Sequence, residues 1–172
     1  MMTPSQTVGP FFGFALPYAE GHHVVPQGHP DVIMLRGRVL DGAGEPVPDA
    51  IVEIRQADAD GSTSAQEGAL VRAENGFSGF GRSDTDGEGR YWFTTIKPGG
   101  GNPYIAMLVF ARGLLKPVAT RVYFPEDPVV DALLLALEPE RRNTLVAVRE
   151  DQGYRFDVHL QGEEETVFLA FD

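Results

Sequence analysis

The sequence contains no cysteine, so neither disulfide bonds nor thiolate metal ligands can contribute to its structure or chemistry. Positive charge is also scarce, since 14 lysines and arginines stand against 25 aspartates and glutamates and give a formal net charge of −11. Binding to nucleic acids or to anionic membranes needs clustered positive charge, so this composition argues against both functions. The longest apolar run, residues 104–111, is less than half a membrane span.

Two organisational signals are missing as well. No period of 20–50 residues repeats along the chain, which argues against a solenoid or propeller. The first residues contain no basic segment followed by an apolar run, so no secretory signal is visible and we expect a soluble cytoplasmic protein. A length of 172 residues suits one domain with its own core.

What the chain does contain is a series of short strand patterns punctuated by 20 glycines and 13 prolines. From residue 32 onward the pattern is typical of strands, which are predicted near 33–39, 50–56, 90–96, 120–124, 145–149, 154–160 and 166–171. Residues 104–111 are nearly all apolar, a composition typical of a central strand covered on both faces. Residues 58–80 are polar and glycine-rich, and we interpret them as a long connection. Many short strands predict an all-β sandwich.

One segment after the strand predicted at 120–124 has the spacing of a helix. Asp127 can cap its start, Pro128 suits the first turn, and the apolar residues at i, i+3, i+4 and i+7 are Val130, Leu133, Leu134 and Leu137. The pattern therefore predicts one short helix. It is the only helical pattern that we expect in the chain.

Residues 1–31 form an arm with little periodicity, followed by the sandwich at 32–172. The arm carries Phe11, Phe12 and Phe14 on a segment too short to build its own core, so these rings need cover from elsewhere. We expect the arm to pack on a partner chain. Folding back onto the same chain is the alternative, and the two arrangements are compatible.

Residues 37–54 look like many prealbumin-like sandwiches. A more specific likeness lies at 3–11, 92–99, 121–124 and 154–157, and these segments resemble motifs of the intradiol ring-cleaving dioxygenase family. The resemblance runs from Thr3 to Phe171. It implies a prealbumin-like β-sandwich with one short helix and a long N-terminal arm.

The resemblance also indicates which metal ligands are missing. Catalytic chains of this family hold ferric iron through two tyrosines and a His-x-His pair. The matching vestigial positions here are Thr63, Gly101, Tyr104 and Ala106. One phenol cannot assemble the several converging donors that a non-haem iron site needs, so we expect neither a metal site nor catalytic residues on this chain. The four histidines offer no substitute cluster, and adjacent His22 and His23 should point in opposite directions on an extended arm.

The resemblance therefore implies an α-type subunit that supports catalysis elsewhere. Its partner would be a homologous β chain that binds Fe(III), in an (αβ)n complex. The implied substrates are protocatechuate (3,4-dihydroxybenzoate) and O2, the product is 3-carboxy-cis,cis-muconate, and the context is aromatic catabolism by the beta-ketoadipate pathway. One alternative is a non-enzymatic prealbumin-like binding or structural module. Another is a self-sufficient dioxygenase with an unusual iron site, against which the absent ligand pair counts strongly.

Four residues are candidates for substrate binding at the partner's site. Arg112 can pair with a substrate carboxylate through its planar guanidinium, or it can simply be an exposed arginine at a strand end. Thr7 offers a hydroxyl, Gly9 permits close approach of its backbone, and Pro10 stiffens the segment. The alternative for these three is an entry loop that only buries its aromatic rings. The resemblance favours a role in the pocket.

Overall fold

Two β-sheets packed face to face form the protein in the computed structural model, which describes residues 3–9, 11–63, 76–101, 103–127 and 131–170. The strands are β1 (Ile33–Leu40), β2 (Ile51–Arg55), β3 (Phe80–Asp84), β4 (Arg90–Thr95), β5 (Tyr104–Phe110), β6 (Val118–Tyr123), β7 (Val148–Glu150), β8 (Gly153–Arg155) and β9 (Val158–His159). The helices are α1 (Phe12–Ala15), α2 (Ala132–Ala136) and α3 (Pro139–Asn143). The predicted sandwich is confirmed.

The strands of the described residues form two sheets. One sheet has the order β4-β1-β8-β7, with β9 also pairing β1, and the other has the order β3-β2-β5-β6. Burial alternates along β5, whose inward side chains Ile105, Met107 and Val109 are fully buried between the sheets. The opposite face of β5, including Tyr104 and Ala106, therefore points away from the core.

A close backbone approach in the first sheet depends on one glycine. A β-carbon at Gly37 would lie 1.8 Å from the carbonyl oxygen of Phe156, so no other residue fits there without moving the backbone. The Tyr91 hydroxyl donates to the same carbonyl at 2.5 Å. These contacts hold the chain between β8 and β9 against β1.

The predictions of one connection and two strands need correction. The connection predicted at 58–80 ends in the first residue of β3, and its residues 64–75 lie outside the described ranges. The strand predicted at 154–160 is divided into β8 and β9 because the Asp157 side chain accepts a hydrogen bond from the Arg38 amide at 3.0 Å, a bond that a ladder carbonyl would otherwise make. Of the strand predicted at 166–171, the described part makes only an isolated bridge between Leu169 and Ala119.

The prediction of a single helix is wrong, since the described residues contain three. Each has only four or five residues, too few for the apolar spacing of a helix to repeat. The cap of α2 is Asp131, whose side chain accepts from the Leu133 amide at 2.7 Å, and not Asp127. Residues 128–130 of the predicted helix lie outside the described ranges. No helix within those ranges is long and apolar enough to cross a membrane.

The described part of the arm folds back onto the sandwich. Val24 and Val25 are buried, and the Val24 amide donates to the Thr94 carbonyl at 2.8 Å. The rings of His22 and His23 both contact Trp92, so the expectation that they point in opposite directions is wrong. Packing of the arm on a partner chain stays a prediction.

Candidate functional site

A pocket opens beside the first residues of β5, on the face that points away from the core. Its volume is about 170 Å³, and the residues that line it are Arg55, Gln56, Ala57, Thr63, Ser78, Gly79, Tyr104 and Ala106. We refer to it as the residual pocket, because three of its residues, Thr63, Tyr104 and Ala106, occupy positions that the family resemblance equated with metal ligands. The fourth position, Gly101, lies in the turn before β5 and is not among the lining residues.

The floor of the residual pocket is held by the amide of Gln56, a buried residue that the sequence analysis did not single out. The Thr95 hydroxyl donates to its carbonyl oxygen at 2.7 Å. Its nitrogen donates to the backbone oxygens of Ile96 at 2.8 Å and Ala57 at 3.1 Å. Because these bonds use both hydrogens of the amide, Gln56 supports the pocket and has no donor left for a ligand.

Tyr104, which lines the residual pocket, is stacked with an arginine that is not among the lining residues. The guanidinium of Arg121 lies 4.0 Å from the centre of the Tyr104 ring, and its Nη1 is 2.9 Å from Asp131 Oδ2. The same Nη1 donates to the Tyr123 hydroxyl at 3.3 Å. Burial raises the pKa of Tyr123 to about 12, so this phenol is neutral at ordinary pH.

The donor set of the residual pocket does not fit ferric iron. Among the vestigial positions, Tyr104 offers one phenol, Thr63 a neutral hydroxyl, and Ala106 a methyl group. Arg55 and Arg121 are the cross-strand partners of Ala106 on its two sides, so positive charge flanks the position. Across the described ranges, no three or more His, Cys, Asp or Glu side chains form a group suited to a metal.

The structure brings Thr7 and Arg112 together at the other end of β5. The Thr7 hydroxyl accepts a hydrogen bond from the amide of Gly113 at 2.9 Å. The carbonyl of Gly9 accepts from the Phe12 amide at 3.3 Å and so begins the turn into α1. Pro10 lies outside the described residues. We call this region, comprising Thr7, Gly9, Arg112 and the exposed rings of Phe11 and Phe14, the arm surface.

Arg112 is paired with Asp49, which the sequence analysis missed. Arg112 Nη2 lies 2.9 Å from Asp49 Oδ2, and Nε lies 3.3 Å from Oδ1, while 56% of the arginine side chain stays exposed. Asp49 has a φ of 58°, a conformation that aspartate tolerates better than most residues. Of the five guanidinium hydrogens, three remain for another acceptor. Nothing in the local pattern around Asp49 separates it from an ordinary turn residue.

Two phenylalanines on the arm surface are exposed to an unusual degree. Phe11 is 76% exposed and Phe14 is 85% exposed, whereas Phe12 between them is buried. Rings of this size exposed together are typical of a surface that another molecule covers.

Comparisons with known proteins relate the chain to dioxygenases. The sequence model of a family described as "Dioxygenase" matches residues 8–108. The protocatechuate 3,4-dioxygenase alpha chain of Burkholderia cepacia is 40% identical over 97% of this chain and 96% of its own length. The beta chain from the same organism is 34% identical over 84% of this chain and 71% of its own. A solved dioxygenase domain from Streptomyces sp. SirexAA-E, part of a fusion with a carbohydrate-binding protein, superposes with a TM-score of 0.61 at 25% identity, covering 93% of this chain and 98% of that one.

Proposed function

The chain belongs to the intradiol ring-cleaving dioxygenase family, and we propose that it is the alpha subunit of a protocatechuate 3,4-dioxygenase. The observation that carries the proposal is its similarity to an alpha chain over nearly the full length of both. The reaction inserts both atoms of O2 into 3,4-dihydroxybenzoate and opens the ring between the two hydroxyl groups. Family membership argues against a non-enzymatic binding module.

In this proposal the partner is a homologous beta chain, and it carries the iron. The residual pocket lacks the donors for ferric ion, so the metal that activates the catechol toward O2 belongs to the partner. A beta chain that is 34% identical to this chain supports a partner of similar fold. Residues of this chain would then bind and orient the substrate at the shared boundary.

The arm surface is the part of this chain that we assign to that boundary. A substrate carboxylate needs a local cation because a net charge of −11 repels anions. Arg112 has hydrogens left to pair with it, and the Thr7–Gly113 hydrogen bond holds the arm beside this arginine. Gly9 and Pro10 would shape the wall next to the substrate, while Phe11 and Phe14 would be buried by the partner.

Co-expression tests the proposal. The chain is produced alone and together with a homologous chain from a neighbouring reading frame that carries the two tyrosines and the His-x-His pair. We expect a colourless, iron-free product alone. Together we expect a red-brown complex that shows tyrosinate-to-iron absorption and consumes O2 with protocatechuate.

Two results would contradict the proposal. The first is failure of the two chains to copurify. The second is a single chain that binds one iron tightly and opens catechol rings unaided, which would show that this chain carries its own active centre.

A further inference from the structure

The outer face of the sheet that contains β1 carries a groove of about 630 Å³, whose lining residues all lie well inside the described ranges. Four of the chain's 14 lysines and arginines line it, against two carboxylates, Glu150 and Asp157. Positive charge is therefore concentrated here in a protein whose net charge is −11. We call it the basic groove and define it by Met34, Arg36, Arg38, Arg90, Trp92 and Arg155.

The register of the sheet sets these arginines side by side. Arg38 is the cross-strand neighbour of Arg90, and Arg36 is that of Arg155. Like charges in such positions repel each other. The nearby carboxylates, of Glu88 for the first pair and of Glu150 for the second, are shared between the two arginines of the pair.

These shared contacts leave donors free. Glu150 accepts from Arg36 at 2.7 and 2.9 Å and from Arg155 at 3.1 Å, whereas the only ion pair of Arg38 is to Glu88 at 3.9 Å. Asp157 and Asp86 add contacts to Arg155 and Arg90. Since each guanidinium has five N–H donors and each side chain is about half-exposed, most of the donors in the groove are available to further carboxylates.

A partly exposed tryptophan lies among these arginines. Trp92 is 39% exposed and is the direct cross-strand neighbour of Arg36. The rings of His22 and His23 pack against it and so fix its position. Tryptophan and arginine are the residues most enriched where proteins bind one another. The composition of the basic groove is therefore that of an interface.

The complementary charge is present on the same chain. Three consecutive glutamates, Glu163, Glu164 and Glu165, form what we call the acidic turn, and the first two are exposed. The turn is held in shape because Arg141 donates to the Glu165 carbonyl at 2.6 Å. Glu163 and Glu164 line a concavity beside the basic groove but do not line the groove itself.

We propose that the basic groove binds the acidic turn of a second copy of this chain. Arg155 and Asp157 line both the groove and the neighbouring concavity, so groove and turn lie next to each other on one face. A twofold axis can therefore place the turn of each copy in the groove of the other, which gives a closed pair with two identical contacts. Matched charges are needed for this contact, because two chains of charge −11 otherwise repel each other.

Reversal of charge on each side of the contact tests the proposal. The groove variant is Arg36→Glu with Arg38→Glu, and the turn variant is Glu163→Lys with Glu164→Lys. The first control is Arg36→Lys with Arg38→Lys, which keeps the charge of the groove. The second is Asp60→Lys, which reverses an exposed acid that lines neither the groove nor the concavity. Analytical ultracentrifugation counts the copies of this chain in each particle, for the purified chain and for its complex with the partner.

We expect an even number of copies of this chain per wild-type particle. The groove variant and the turn variant should each weaken the pairing by at least about 100-fold, because like charges then face each other in both contacts. The turn variant makes the chain less acidic, so an effect of net charge alone would strengthen association and not weaken it. Both controls should pair like the wild type.

A mixture of the two variants supplies the sharpest result. In a mixed pair the reversed groove faces the reversed turn, and the two unaltered surfaces also face each other, so both contacts become attractive again and pairing should return. In the chain alone, emission from Trp92, the only tryptophan, should shift to shorter wavelength on pairing. Circular dichroism verifies that each variant is folded.

A wild-type particle with a single copy of this chain would overturn the proposal, as would folded variants that pair normally or a mixture that does not pair. Loss of the proposed partner chain from the groove variant, with copy number unchanged, would assign the groove to that chain instead and would equally overturn it. The groove and the arm surface lie on different sheets, and no variant alters the arm surface. Failure of the pairing would therefore leave the proposed function untouched.

Discussion

The residual pocket and the arm surface lie at opposite ends of β5, and their side chains differ in how far they are bonded within this chain. Around the residual pocket, Gln56, Arg121 and Tyr123 bond to other residues of the same chain. On the arm surface, Phe11 and Phe14 are mostly exposed, and Arg112 is half-exposed beside a single carboxylate. The polar side chains of the first region are bonded within this chain, whereas the second region leaves apolar and charged side chains exposed.

This difference separates the two ways in which a subunit can contribute to a shared activity. Side chains that are satisfied internally stabilise the fold, so changing them should alter the free energy of unfolding. Side chains that are exposed contribute little to the isolated chain and become important when a partner buries them. The comparison therefore predicts which measurements each substitution should change.

The largest effect should come from the two exposed phenylalanines. Replacing Phe11 and Phe14 together by serine should weaken association with the proposed partner chain by on the order of 10²- to 10³-fold, since buried aromatic anchors dominate interfaces. The free energy of unfolding of the chain should change by less than about 0.5 kcal/mol. Association is measured by analytical ultracentrifugation, and unfolding by urea titration.

Leu135 supplies the control for this pair, because it is 61% exposed on α2, away from the arm. Leu135→Ser should leave association unchanged. If the phenylalanine variant assembles normally, the arm surface is not an interface and the comparison fails.

Arg112 should have the next largest effect, and only in the complex. Arg112→Ala should lower kcat/KM for protocatechuate by roughly 10- to 150-fold, the equivalent of about 1.5–3 kcal/mol for a charged hydrogen bond. Turnover of unsubstituted catechol, which has no carboxylate, should change little. Steady-state oxygen uptake with both substrates measures the difference.

Lys116→Ala removes the same charge from a nearby exposed position and controls for long-range electrostatics. An Arg112→Ala enzyme whose KM and kcat for protocatechuate match those of the wild type would show that Arg112 does not contact the substrate.

Alkaline pH should destabilise the packing beside the residual pocket, through Tyr123, and should not change the arm surface. Burial raises the pKa of Tyr123 from 10.0 to about 12, so between these values the folded protein holds a proton that the unfolded chain has lost. Stability should therefore fall as pH rises from about 10 to about 12. We expect a loss of about 1–2 kcal/mol, less than the full two-unit shift because the phenol is partly solvated.

Urea titrations of wild type and Tyr123→Phe at pH 9 and pH 11 measure this loss. Burial also raises the pKa of Tyr154 to about 12, but Tyr154 is present in both proteins, so the difference between them isolates Tyr123. Equal alkaline destabilisation of the two proteins would mean that Tyr123 titrates as it does in water.

Part of this contrast could be predicted from the sequence, and the rest could not because it depends on contacts between strands. The nearly continuous apolar run at residues 104–111 predicted a strand, and since side chains two apart share a face, Tyr104 was expected beside Ala106. The engagement of Glu53 by Arg82 depends on the register of β2 against β3, which alternation within one strand does not determine. For this reason the Glu53–Arg82 ion pair became visible only in the structure.

Asp49 was missed for a related reason. Its partner Arg112 is 63 residues away in sequence, and the pair forms only because β2 and β5 are adjacent in the sheet, with the residues before β2 opposite those after β5. A lone aspartate in a Pro-x-Pro-Asp turn carries no sign of that neighbour. Helix α1, whose Gly13 packs against Asp49, was too short for its periodicity to be detected.

The smallest effect that we predict concerns this same aspartate. Asp49→Asn keeps the size of the side chain and suits the φ of 58°, but it removes the negative charge beside Arg112. Because the carboxylate of the substrate would no longer compete with that of Asp49, KM for protocatechuate should fall by about two- to fivefold, in line with the modest strength of an exposed ion pair. The free energy of unfolding should change by less than about 1 kcal/mol. A rise in KM would instead mean that Asp49 holds the guanidinium in its productive orientation, and that the arm surface, like the residual pocket, is already completed by this chain before its partner arrives.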